Sequence, residues 1–328
     1  MKKRILVTGR LPGKIITSLS KRFQAEINME DRPFNRQKLL HRIKDKDGLL
    51  SMITDDVNEE VLGKANHLKM IAQFGVGYNN IDVLAATKLG IPVSNTPGVL
   101  TDATAELAFA LILAISRRLV EGDRITREGR FRWWAPMLFL GSEVTGKTLG
   151  VIGMGKIGKA VAQRAKCFNM PILYHNRARI SVFEEKELMA KYVDMKTLLS
   201  RSDFISLHVP LSDETRHLIG SRELSLMKPT AYLINTSRGP VVDEKALLQA
   251  LRRKKIGGAA LDVYENEPAL TPGLVELDNV VLLPHVGSGT LETRFRMAAM
   301  AAGNLITGLN GKVPPNLVNP DVISHRRL

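Results

Sequence analysis

The sequence predicts an α/β protein with two doubly wound parallel sheets. Two observations carry this. Short, β-rich apolar runs alternate with charged amphipathic stretches along the chain, which is the pattern of βαβ units. The alternation comes as two series, one ending near residue 95 and the other starting near residue 147, and 328 residues suit about two domains.

In the first series the strand-like runs are residues 4–8, 48–54, 68–74 and 92–95, each bounded by Gly, Asn, Asp or Pro. Residues 57–65 and 81–89 are amphipathic and predict helices between them. Lys2-Lys3-Arg4 and the apolar residues after it read as a first strand rather than a leader, because the apolar stretch is short and Arg10 follows at once. The second series predicts strands at 148–153, 171–175, 203–208, 231–235, 258–262 and 280–283. Between the series, residues 101–118 form an almost wholly apolar helix that Thr101 or Asp102 can cap, with Arg117 and Arg118 at its negative end. So apolar a helix must be buried on most sides, in a domain junction or a subunit contact. A last helix over about 291–309 carries Ala298, Ala299, Ala301 and Ala302, which permit close approach, and a Pro/Asn-rich tail follows.

Hydrophobic residues make up 44% and charged residues 24%, which excludes a wholly disordered chain. The longest uninterrupted apolar run, 107–115, is far short of the roughly 20 residues that cross a bilayer. The single cysteine, Cys167, excludes an internal disulfide framework and a Cys-rich zinc site, so a cytosolic protein without a metal is expected. The net charge is +14, from 47 Lys+Arg against 33 Asp+Glu. The basic residues form no block of five or six, aromatics are only 5%, and no zinc-finger or RNA-binding motif occurs. A solvated basic surface is the reading, and no nucleic acid is expected as a partner.

The strand at 149–152 runs into Gly153-Met154-Gly155-Lys156-Ile157-Gly158 and then a helical stretch. A GxGxxG pattern between a strand and a helix marks a dinucleotide site. Gly153 permits the tight turn, Gly155 lets the backbone approach a pyrophosphate, and Gly158 lets helix and strand pack closely. The next strand ends in His175-Asn176-Arg177-Ala178-Arg179, where an NAD site would carry an acid for the ribose 2′-hydroxyl. No acid is present. Asn176 can hydrogen-bond, and Arg177 and Arg179 can pair with a 2′-phosphate, so NADP(H) is expected over NAD(H) by about 10²-fold.

Four further segments are Gly75-Val76-Gly77-Tyr78-Asn79-Asn80-Ile81-Asp82, Asn235-Thr236-Ser237-Arg238-Gly239, Leu261-Asp262-Val263-Tyr264-Glu265-Asn266-Glu267-Pro268 and Pro284-His285-Val286-Gly287-Ser288. With the glycine motif, their order and spacing resemble the D-isomer-specific 2-hydroxyacid dehydrogenases over essentially the whole chain. Phe139-Leu140-Gly141, Gly146-Lys147-Thr148-Leu149-Gly150 and Val318-Asn319-Pro320 resemble the glyoxylate/hydroxypyruvate reductase branch, which includes 2-ketogluconate reductases.

The resemblance implies a Rossmann dinucleotide-binding domain, residues 99–285, inserted into a flavodoxin-like substrate domain, residues 1–98 and 286–328. It implies an active site in the cleft, with Arg238, Glu267 and His285 as the catalytic trio. It implies substrate contacts from Val76, Gly77 and Ser288, and from Trp134 of a neighbouring subunit in a homodimer. Cofactor contacts are implied for Thr101, Lys156, Ile157, Pro210, Thr236 and Asp262, with Thr101 and Asp262 at the nicotinamide half.

Chemistry gives each of the trio a reason. Arg238 supplies a permanent planar cation for a 2-keto acid's carboxylate. His285 can protonate the ketone oxygen as hydride transfer charges it. Glu267 on the far ring nitrogen would orient the imidazole and favour its protonated form. NADPH-dependent reduction of a small 2-keto acid to the D-2-hydroxy acid is therefore expected. A reductase of a larger keto-sugar acid such as 2-ketogluconate is the alternative among enzymes. A dinucleotide-sensing corepressor-like protein is the alternative outside them, and the intact trio argues against it. One departure stands out: Asn79 occupies a position where the family often has an acid, which either widens tolerance for acidic substrates or does nothing.

Overall fold

The structure is a computed structural model and describes residues 2–327. The chain forms two compact units. One is built from the residues up to Leu100 together with those from Gly289 onward, and the other from Thr101–Ser288.

The first unit holds a five-stranded sheet of β1 (Arg4–Val7), β2 (Gln24–Ile27), β3 (Gly48–Met52), β4 (Met70–Phe74) and β5 (Val93–Ser94). All pairings are parallel and the order is β2-β1-β3-β4-β5, the flavodoxin-like arrangement. β4 is buried throughout, which explains its near-continuous apolar run. β2, absent from the sequence reading, is an edge strand of sequence QAEI with no fully buried residue, so it has no apolar signature. The helix Leu291–Leu309 is capped by Thr290, whose hydroxyl accepts from the Thr293 N–H at 3.1 Å. It packs on this sheet so closely that side chains at Gly48 or Gly308 would meet Leu309 or Met70 at under 3 Å. Ala298, Ala301 and Ala302 are on its buried face, whereas Ala299 is exposed and plays no part in that approach.

The second unit holds β6 (Leu149–Ile152), β7 (Ile172–His175), β8 (Ala190–Tyr192), β9 (Phe204–Leu207), β10 (Tyr232–Asn235), β11 (Gly258–Leu261) and β12 (Val280–Leu282). The order is β12-β11-β10-β9-β6-β7-β8, again all parallel. This is the Rossmann order with a seventh strand, and its direction reverses between β6 and β9, where such sheets bind ligands at the strands' carboxyl ends. β8 is a three-residue edge strand that the sequence reading lacked.

The apolar helix, Thr101–Ser116, needs neither a domain junction nor a subunit contact to bury it. Ala105, Ala108, Phe109, Leu111, Ile112 and Ile115 lie in one core with Leu149, Val151, Val161 and Ile234 of the same unit. The apolar surface left open lies further on, at Leu119, Val120, Phe131, Trp133, Trp134, Met137, Leu138 and Leu140. Among the described residues, no helix is long and apolar enough to cross a membrane.

Candidate active site

The glycine loop leaves β6 at the sheet's point of reversal. Gly153 has φ +97°, and a Cβ there would lie 2.7 Å from the His208 carbonyl carbon, so both conformation and space demand glycine. A Cβ on Gly158 would lie 2.2 Å from the Gly153 oxygen, which locks the helix Lys156–Lys166 against the loop. Gly155 caps that helix without a side-chain hydrogen bond, and a Cβ on it would meet nothing within 4 Å. A helix start with uncapped N–H groups beside open space is what a pyrophosphate requires, and Lys156 and Ile157 are its first two residues. Asn176 Oδ1 accepts from the Met154 N–H at 2.6 Å, tying the end of β7 to this loop. Thr236, just past β10, is buried with a hydroxyl that has no partner among the described residues. Pro210, past β9, is exposed, and Thr101 begins its helix. These features fit a dinucleotide at the carboxyl ends of β6, β9 and β10.

The two arginines expected at a 2′-phosphate differ. Arg177 is exposed and forms no ion pair within 4 Å among the described residues. Arg179 is instead held by Glu185: its Nε donates to Oε1 at 2.7 Å and its Nη2 to Oε2 at 2.6 Å. The two arginines expected at a 2′-phosphate therefore stand in different surroundings. A carboxylate folded back from the next helix occupies the Nε/Nη2 edge of the second.

The trio's three members all lie in the second unit. Arg238 follows β10 and is largely buried. Its Nη1 donates to the Ser237 carbonyl at 2.8 Å, and its own carbonyl accepts from Asn235 Nδ2 at 2.9 Å. Gly239, next to it, abuts the Tyr264–Glu265 peptide so tightly that a Cβ would lie 1.8 Å from the Tyr264 carbonyl carbon. The segment carrying Arg238 and the segment carrying Glu267 are thus in backbone contact. Glu267 Oε1 accepts from the Tyr264 N–H at 2.9 Å, and Oε2 meets His285 Nδ1 at 2.8 Å. With Glu267 ionised, Nδ1 is the donor and Nε2 faces the opposite way along the ring.

His285 has φ +54°, a left-handed backbone uncommon outside glycine. Asp262 accounts for this turn. It is 1% exposed, and its two oxygens accept from the Val286 and Gly287 N–H groups, each at 2.7 Å. Expected at the nicotinamide, Asp262 is engaged in fixing the loop that begins at His285. Ser288 follows that loop and is half-buried.

Electrostatics follows from these contacts. Burial pushes the Glu267 carboxyl upward, but the His285 hydrogen bond and charge, the Tyr264 N–H and Arg238 outweigh it, so its pKa falls below the ordinary value. Burial lowers the Arg238 pKa while Glu267 opposes that. Asp262 is raised by burial, despite its two backbone donors.

Val76 and Gly77 belong to the first unit, in the loop after β4. Asn95 Nδ2 donates to the Val76 carbonyl at 2.8 Å, and Gln73 Nε2 to the Gly77 carbonyl at 3.3 Å and to Asn80 Oδ1 at 2.9 Å. Ser51 Oγ donates to Gln73 Oε1 at 2.6 Å. The loop's carbonyls are thereby held from behind, and the Val76 and Gly77 N–H groups have no acceptor among the described residues. Sequence reasoning missed Gln73, Asn80 and Asn95. A glutamine inside the wholly buried strand MIAQF was the available signal, since a buried amide must have partners. Trp134 is 78% exposed on this single chain.

Residues 109–287 match the family model described as the D-isomer specific 2-hydroxyacid dehydrogenase NAD binding domain. The glyoxylate reductase of Thermococcus litoralis is 51% identical over 328 residues, covering 99% of both chains. That of Korarchaeum cryptofilum is 50% identical, covering 99% of this chain and 98% of its own. Among solved structures, a glyoxylate reductase from Paecilomyes thermophila superposes with TM-score 0.86 at 35% identity, over 97% of this chain and 98% of that one. An NADPH-dependent glyoxylate/hydroxypyruvate reductase from Sinorhizobium meliloti, in complex with NADP and malonate, superposes with TM-score 0.85 at 30% identity, over 100% and 99%. Agreement along the full length, in sequence and in fold, makes this chain a member of the D-isomer specific 2-hydroxyacid dehydrogenases, oxidoreductases of small 2-keto and 2-hydroxy acids that use a nicotinamide dinucleotide.

Proposed function

We propose that the protein is an NADPH-dependent reductase of a small 2-keto acid of the glyoxylate/hydroxypyruvate type, yielding the D-2-hydroxy acid. The observation that carries this reading is the 2.8 Å His285–Glu267 pair beside the largely buried Arg238, in the same unit as the glycine loop. Glyoxylate reductases among the relatives support the substrate class. The bound cofactor supplies the hydride that reduces the ketone carbon. The chain's residues supply the rest. Arg238 binds the substrate carboxylate in a charge-assisted fork and polarises the ketone oxygen. His285 Nε2 donates a proton to that oxygen as negative charge develops there. Glu267 accepts from Nδ1 and fixes the ring. Asp262 holds the turn that presents His285. The N–H groups of Val76 and Gly77 suit the carboxylate chemically. Ser288 is assigned beside His285, and Thr101, Gly153, Gly155, Lys156, Ile157, Gly158, Pro210 and Thr236 to the cofactor.

The test follows NADPH absorbance with glyoxylate, hydroxypyruvate and 2-ketogluconate in turn. Turnover of the first two at the higher kcat/KM is expected. A higher kcat/KM for 2-ketogluconate makes the enzyme a sugar-acid reductase, and cofactor binding without turnover of any defeats the enzymatic reading.

Cofactor choice is assigned chiefly to Arg177. One charge-assisted contact to a 2′-phosphate contributes about 1.5–3 kcal/mol, or a preference of roughly 10- to 10²-fold for NADPH. Arg177→Gln is expected to bring kcat/KM for NADPH close to that for NADH, and the wild-type preference to shrink with rising salt. Equal use of both cofactors by the wild type sinks the assignment.

A homodimer is also proposed, with Trp134 as the aromatic that reaches the partner's substrate. Its support is the run of exposed large apolar side chains within residues 119–140, Leu119, Val120, Phe131, Trp133, Trp134, Met137, Leu138 and Leu140, the kind of surface that a partner covers. Light scattering at micromolar concentration should give twice the chain mass of 36.3 kDa, and the single-chain mass would refute the dimer.

A further inference from the structure

Glu185 lies on the helix Val182–Leu188 and is 8% exposed. Its Oε1 accepts from the Tyr174 hydroxyl at 2.6 Å and from Arg179 Nε at 2.7 Å, and its Oε2 accepts from Arg179 Nη2 at 2.6 Å. The Tyr174 ring is fully buried in the core, and its hydroxyl also accepts from the Ile180 N–H at 3.1 Å. The guanidinium is therefore clamped by a carboxylate that is itself anchored to the core, one edge of the loop that leaves β7. A carboxylate with these donors stays ionised at any working pH: Arg179 and Tyr174 hold it down to about 2. Among the described residues Arg177 forms no ion pair within 4 Å, and the exposed Glu214 acts on it only through space.

We propose that Glu185 is a specificity-determining residue for the cofactor: by engaging the fork of Arg179 it removes that arginine from 2′-phosphate recognition and leaves Arg177 as the loop's uncompensated cation. The proposal rests on the reading that a 2′-phosphate is bound at the end of β7. Two arguments support it. A bidentate fork is the geometry with which arginine grips a phosphate, and the Nε/Nη2 edge of this guanidinium is already filled by Glu185, which leaves Nη1 and the other Nη2 proton. An ion pair closed at 2.6–2.7 Å also presents little more than a dipole to a group several ångströms away, whereas a lone guanidinium presents a full charge. The two arginines of Arg177-Ala178-Arg179 are thus equal in sequence and unequal in effect. Arg179 organises the loop and Arg177 discriminates.

The experiment compares kcat/KM for NADPH and NADH in four proteins: wild type, Arg177→Gln, Glu185→Gln, and the double variant Glu185→Gln with Arg179→Gln. In Glu185→Gln the amide oxygen still accepts from Tyr174, but the amide nitrogen cannot accept from Arg179 Nη2. Half the fork opens and the counter-charge is gone. The NADPH:NADH ratio should therefore rise by about 5- to 30-fold, the low-salt gain shrinking at high salt. The double variant removes both charges together and should keep the ratio within about threefold of wild type, while Arg177→Gln should abolish the preference. The double variant keeps the proposal falsifiable if Glu185→Gln alone does not fold. An unchanged or lower ratio in Glu185→Gln, or a loss of preference in the double variant as large as in Arg177→Gln, overturns the proposal while leaving the NADPH reading intact. Failure of that reading looks different: wild type then shows no preference and Arg177→Gln changes nothing, which overturns both.

Discussion

Replacing His285 by alanine is expected to lower kcat for keto-acid reduction by about 10²–10⁴-fold, the span that a positioned general acid contributes. The geometry makes His285 the strongest candidate for this role. Its Nδ1 is committed to Glu267 at 2.8 Å, so Nε2 is the nitrogen left to hand over a proton. Asp262 fixes the next two N–H groups, so the alanine variant should keep the course of the loop and bind NADPH with a Kd within about threefold of wild type. Loss of kcat with retained cofactor binding is the signature sought, by steady-state kinetics and fluorescence titration. Near-normal kcat would remove His285 from the mechanism. The same pair makes a statement about acid. Because the folded state lowers the Glu267 pKa, the stability that this pairing contributes is complete above the ordinary carboxylate range. It is lost as the pH falls through the depressed value. Acid unfolding of Glu267→Gln should lack that component.

The second large effect is expected from a residue with no chemistry of its own. Alanine at Gly239 would place its methyl 1.8 Å from the Tyr264 carbonyl carbon and oxygen and 2.4 Å from the Glu265 nitrogen. All three are backbone atoms, so no rotamer change relieves the clash. The segment holding Arg238 must move from the segment holding Glu267 by about 1 Å or more to restore ordinary contact. A displacement of that size in a catalytic arrangement costs about 10²-fold, and overpacking of this kind costs about 1–3 kcal/mol of stability. Gly239→Ala should therefore lose about 10²-fold or more in kcat/KM and melt several degrees lower while remaining folded by circular dichroism. Activity within threefold of wild type would show that the two segments are not interlocked in this way.

Much of this was legible in the sequence for identifiable reasons. Central strands such as β4 and β6 are buried on both faces and read as apolar runs, and the glycines at 153 and 158 are required by contacts short enough to exclude any side chain. β2 and β8 were missed because edge strands keep polar residues and need few positions. The apolar helix Thr101–Ser116 showed correctly that it was buried, but a pattern of burial does not name what covers it. The surroundings of Arg179 were hidden for a related reason. The sequence displays its charge, while its pairing depends on a helix folding Glu185 back across six positions. Asp262 stands out in the sequence as a candidate, yet its acceptance from two backbone N–H donors in a loop 24 and 25 positions away is invisible without coordinates.

The first unit is sewn together from both ends of the chain. Asn319 accepts from the Val93 N–H across 226 positions, and the Leu291–Leu309 helix covers β3 and β4 through Gly48 and Gly308. During synthesis, the sheet of β1 to β5 emerges first but lacks this cover until the last segment leaves the ribosome. The second unit carries its whole sheet and its buried Thr101–Ser116 helix within one uninterrupted stretch, so it has what it needs to consolidate earlier. The nascent chain therefore passes through an interval in which a finished nucleotide-binding fold trails behind an unfinished partner with an apolar face in water. A stop codon ahead of residue 291 would leave β3 and β4 without the helix that covers them.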